Sequence, residues 1–74
     1  MEWKDYKEEN LKIVLCYMKE SGDTAKDLSE GTGFSCDFID KFLSGTIFPG
    51  SKLQEIVLSR YDLAMTDGKV LPKR

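Results

Sequence analysis

Apolar residues recur along the first third of the chain at helical spacing. Leu11, Val14, Leu15 and Met18 fall at i, i+3, i+4 and i+7, the stripe of an amphipathic helix. Trp3 and Tyr6 extend the apolar content upstream, so a first helix is predicted from about Trp3 to Glu20. Ser21-Gly22 closes it, with Gly22 suited to the left-handed residue that ends many helices. Thr24 stands as an N-cap, and Asp27 faces the free backbone N–H groups of a short second helix. Gly31-Thr32-Gly33 stops that helix in a tight turn. Ser35 caps a third helix running to about Ser44, where Gly45 halts it.

Thr46 to Gly50 reads as a loop, because Phe48 precedes Pro49 and is disfavoured in a helix. Ser51-Lys52-Leu53-Gln54 has the form of a capping box. Leu53, Ile56, Val57 and Tyr61 then mark the buried face of a fourth helix. Beyond it the pattern weakens. Asp67-Gly68 between short apolar runs signals a hairpin, but the alternation around it is poor, which leaves residues 62–74 as an arm or a short hairpin. The expectation is an all-α domain over residues 1–61, a small bundle of four to five helices, followed by that tail.

Composition narrows the class. Seventy-four residues make one domain, and a core of that size favours tight packing or dimerisation. At 41% apolar and 32% charged, the chain is globular rather than disordered. No apolar run approaches the roughly 18 residues of a membrane helix. The start, MEWKDYKEEN, lacks the layout of a secretory leader, so a cytoplasmic location is expected. There is no histidine, and Cys16 and Cys36 form no CxxC pair, which excludes the usual zinc spacings and His-based catalysis. Each cysteine is expected reduced and half-buried, a disulfide being disfavoured in that compartment. Asp23, Asp27 and Glu30 share a helical spacing, but without a nucleophile–base pair a solvated helix face is the better reading. No enzyme activity, metal or cofactor is expected.

From Thr24 onward the chain resembles the phage-repressor/Cro class of helix-turn-helix domains, the lambda-repressor-like fold. The resemblance rests on Thr24, Leu28, Gly33, Phe34-Ser35, Ile39, Gly45 and Pro49, then Leu53, Ile56 and Val57, at the family's spacing without insertion over 24–49. Leu28 and Ile39 would face each other across the turn, and Gly33 would supply its positive φ. Two residues depart from the pattern. Ala25 stands where members often carry a phosphate-binding Gln, and Ser29 where they carry Ala.

At about 100° per residue, Phe38, Phe42, Ile39, Leu43 and Cys36 share one sector of the third helix, and Asp37, Asp40, Lys41 and Ser44 the other. Most such polar faces are only solvated. The resemblance implies instead that this face enters the major groove, with Thr24, Ser35, Cys36, Asp37, Phe38, Asp40, Lys41 and Ser44 as contacts to DNA or to a partner. The charge is unusual for that task. Residues 21–45 carry Asp23, Asp27, Glu30, Asp37 and Asp40 against Lys26 and Lys41, a net −3. Cations lie further on, at Lys52, Arg60, Lys69, Lys73 and Arg74, as candidate phosphate contacts.

Two functions follow as expectations. One is a dimeric regulator of phage or mobile-element type that binds double-stranded DNA and acts in transcription. The other is a module on the same scaffold that modulates a host or partner protein through the acidic third helix and Phe38. Helix four or the 62–74 tail would form the homodimer.

Overall fold

The computed structural model describes residues 2–73. A 3-10 turn at Trp3–Tyr6 leads into α1 (Lys7–Ser21), α2 (Ala25–Thr32), α3 (Cys36–Leu43) and α4 (Gly50–Arg60). An antiparallel hairpin closes the chain, with β1 (Leu63–Thr66) paired to β2 (Lys69–Pro72) in the register Met65↔Val70. The domain is mostly helical but not all-α. No helix among the described residues is long and apolar enough to cross a membrane.

The hairpin corrects the all-α expectation, and its cause is local. Asp67 and Gly68 both take positive φ, 53° and 84°, as a two-residue hairpin turn requires. Leu63 is buried, Met65 packs half-buried on the core and Thr66 is exposed, while the apolar, half-buried Ala64 between them masks the alternation in the sequence. Leu63 and Val70 are 2% and 0% exposed and belong to the same core as the helices. Gly68 cannot be replaced without cost: a Cβ there would lie 2.7 Å from the Glu2 carbonyl oxygen.

Asn10 joins this hairpin to α1. It is 1% exposed, its amide donates to the Gly68 carbonyl at 2.8 Å, and its carbonyl accepts from the Val70 N–H at 2.9 Å. The same amide reaches the Trp3 carbonyl at 3.4 Å. The single first helix expected from Trp3 is therefore divided. Asp5 accepts from the Glu2 N–H at 2.8 Å and fixes a separate turn before α1 begins at Lys7.

The fourth helix also starts differently. Pro49 takes φ −69° and ψ −22°, but Gly50, the first residue of the helix, has φ 79°, and no side chain caps the helix. On this helix Leu53, Val57 and Leu58 are buried, as is Tyr61 just beyond its end, whereas Ile56 is only half-buried. The far end of α4 is clasped to the link between α1 and α2. Arg60 donates to both Asp23 carboxylate oxygens at 3.0 and 3.1 Å, and the Tyr61 hydroxyl donates to the same group at 2.6 Å. Asp23 thus lies outside α2 and forms no acidic cluster with Asp27 and Glu30. No group of residues suited to a metal ion exists among those described.

This clasp sets a pH dependence. The hydrogen bonds from Arg60 and then Tyr61 hold the Asp23 carboxyl below its ordinary value of 3.8. Burial, then the bond to Asp23, raises the Tyr61 phenol from 10.0 to about 12. A folded-state value above the unfolded one means stability that is complete below pH 10 and falls as pH rises toward 12. The Asp23 contribution is present above its ordinary value and disappears as pH falls through the lowered one. Urea midpoints of wild type minus Tyr61→Phe should therefore shrink on the alkaline side. A difference independent of pH from 9 to about 12 would remove Tyr61 from the account.

Candidate functional site

The corner between α2 and α3 is built by short-range bonds. Thr24 accepts from the Asp27 N–H at 3.3 Å, while Asp27 accepts from the Thr24 N–H at 2.8 Å and its hydroxyl at 3.0 Å. This reciprocal cap starts α2. Gly33, φ 82°, ends it and donates to the Ser29 carbonyl at 3.0 Å. Ser29 and Thr32 then pin the turn: the Ser29 hydroxyl donates to the Phe34 carbonyl at 2.5 Å, and Thr32 Oγ1 accepts from the Phe34 N–H at 3.3 Å. The serine that departs from the family pattern therefore has a task in the turn. Leu28 and Ile39, both 0% exposed, sit in the common core on either side of it.

Ser35 Oγ accepts from the Phe38 N–H at 3.2 Å and starts α3. Its far end is closed by Gly45 donating to Phe42 and Thr46 donating to Lys41, at 3.1 and 2.9 Å. Lys7 of α1 adds a cation there, donating to the Gly45 carbonyl at 3.2 Å, where the negative end of the helix dipole favours it. Ile39 and Phe42 anchor the helix, with the Phe42 ring 5.9 Å from that of Trp3. The opposite face is open: Cys36, Asp37, Asp40, Lys41 and Ser44 are exposed.

The structure thus brings Ser35, Cys36, Asp37, Asp40, Lys41 and Ser44 onto one accessible surface. Its charge is partly spent within the helix, since Lys41 Nζ lies 3.3 Å from Asp37 Oδ2. Ser44 donates to the Lys41 carbonyl at 3.0 Å and lies 2.8 Å from the Thr46 hydroxyl. Phe38 is half-buried, packs on the core and stacks on Phe34 with centroids 5.2 Å apart. Thr24 is exposed, but both functions of its hydroxyl serve the α2 cap.

The expected phosphate contacts scatter. Lys52 is exposed in the first turn of α4. Lys69 lies on β2 with its ammonium 4.8 Å from the Tyr6 ring, a cation–π contact. The Lys73 backbone N–H bonds the Asp62 carbonyl, which extends the hairpin rather than freeing an arm. The hairpin packs chiefly on α1 and α4. Arg60 is committed to Asp23. Arg74 lies outside the described residues. Both cysteines are free and exposed rather than half-buried. Cys16 lies about half a turn from the Leu11–Met18 stripe, and Cys36 occupies the first, outward position of α3.

Sequence reading missed Lys7, Asn10 and the Asp23–Arg60–Tyr61 clasp. Asn10 left a trace, being a polar residue four before Val14 on the buried side of α1. No family model, no curated protein and no solved structure matches this chain.

Proposed function

We propose that this domain is a small binding module, not an enzyme, that reads double-stranded DNA with α3 as a helix-turn-helix regulator. The observation that carries this reading is the Gly33 corner, which holds α3 by Ile39 and Phe42 and leaves its Asp37–Asp40–Lys41–Ser44 face in open solvent. Ser35 and Ser44 offer neutral polar contacts, and an aspartate on that face accepts from cytosine N4, a discrimination of about 1–3 kcal/mol. Lys41 and Lys52 are the phosphate contacts. Lys69 and Lys73 lie on or beside the hairpin that packs on α1 and α4, and this reading does not use them. Two copies would read half-sites about one helical turn apart.

With two cations per protomer, affinity for duplex DNA should depend only modestly on salt. The slope of log K against log salt should be about −2 per protomer between about 50 and about 200 mM. Lys41→Ala should lower affinity and flatten that slope by about one unit. Absence of any duplex binding at about 50 mM salt would overturn the reading.

A second reading is favoured by the Lys41–Asp37 pair, which leaves Asp40 uncompensated on a face of net negative charge. Such a face suits a basic protein surface, with the Phe34–Phe38 stack at its apolar edge. In that case the chain recovers a stable protein complex while failing to bind duplex, and Phe38→Asp abolishes the complex.

A further inference from the structure

One flank of α1 is left uncovered. Glu8, Lys12, Leu15 and Lys19 fall on a single stripe at about 100° per residue. All four are exposed, Leu15 at 43%. Leu15 lines a groove of about 480 Å³ with Leu11 and with half-buried Leu43 of α3, and Glu8, Glu9 and Lys12 rim it. The other large apolar residues of α1 are accounted for: Val14 and Met18 lie in the core, Ile13 packs against it, and Tyr17 meets Tyr61.

We propose that a second copy of this chain covers this groove, with α1 packed antiparallel against α1 of the other copy. The order of the charges selects that occupant. Glu8 and Lys19 stand at opposite ends of the stripe, and the midpoint between them is also the midpoint between Lys12 and Leu15. A two-fold axis through that point sets each Glu8 opposite the other copy's Lys19. It also lays each Lys12 stem along the other copy's Leu15, the apolar part of a lysine covering an apolar neighbour. Parallel pairing would oppose Glu8 to Glu8 and Lys19 to Lys19. Of the surfaces expected from sequence to form the dimer, α4 and the hairpin turn Leu53, Val57, Leu58, Leu63 and Val70 into the core, and Leu71 of β2 stays exposed without the charge order of the α1 stripe. Leu43 lies about 120° round α3 from Asp37, so the pairing leaves Asp37 and Lys41 accessible.

Sedimentation equilibrium without DNA tests this independently of any DNA reading. The wild type should dimerise with concentration, and Leu15→Glu should weaken the dimer at least about tenfold. Glu8→Lys and Lys19→Glu should each weaken it by about tenfold, and the double variant should recover most of that loss. Circular dichroism checks each variant, and Leu15→Gln stands in for Leu15→Glu should the latter unfold. A chain that stays monomeric to millimolar concentration overturns the proposal. So does a dimer indifferent to Leu15, a double variant no tighter than the singles, or dissociation by Leu71→Glu instead.

Discussion

Asn10→Leu should leave the domain largely unfolded at room temperature. The side chain satisfies two main-chain groups of the hairpin, the Gly68 carbonyl and the Val70 N–H, from a site that is 1% exposed. Leucine fills the space and bonds neither, so a donor and an acceptor stay buried and unpaired at about 1–3 kcal/mol each. Their sum is comparable to the few kcal/mol that a core of this size supplies. Asn10→Asp separates polarity from volume. Its carboxylate still accepts from Val70 but turns a negative charge toward the Gly68 carbonyl, whereas the protonated acid can donate there. The urea midpoint of Asn10→Asp should therefore rise, relative to wild type, as pH falls through the carboxyl's titration. A wild-type midpoint for Asn10→Leu would mean that the hairpin is not held through this residue.

The same residue shows why parts of the fold were legible in the sequence and others were not. The caps at Thr24 and Ser35 act on N–H groups three residues away, so residue type and spacing suffice to place α2 and α3. Gly33 and Gly45 are likewise local, and so is the outward face of α3. The break before α1 depends on Asp5 bonding Glu2, three residues away, and also on Asn10 bonding both Trp3 and Gly68, the latter 58 residues from it. No window of a single helix contains that information. The Ser51 box did not form: α4 begins a residue earlier, at Gly50, whose φ of 79° glycine adopts without steric cost, and no side chain caps it. At the candidate site, the exposed positions follow from helical period alone, but the destinations of the cations do not. Arg60 and Lys69 look alike as basic residues of the C-terminal third, yet one binds Asp23 and the other faces Tyr6.

Phe42→Ala should cost about 3–5 kcal/mol, the range for removing a buried aromatic ring, and so also exceed the stability of most domains this small. Phe42 is 1% exposed and is the largest side chain in the fully buried set. It lies on α3 opposite the Asp37–Lys41 face and meets Trp3, which is itself 4% exposed. Its removal therefore loosens both the anchor of α3 and the packing of the N-terminal turn. Trp3 is the chain's single tryptophan, so its emission should shift to the red in Phe42→Ala and report the loss directly. Phe42→Leu keeps most of the apolar volume and should cost only about 1 kcal/mol. That variant should retain whatever ligand α3 binds at nearly wild-type affinity, since the exposed face is unchanged. Full stability of Phe42→Ala with unshifted emission would mean that α3 is not held against the body by this ring, and the exposed face could then no longer be treated as a rigid surface.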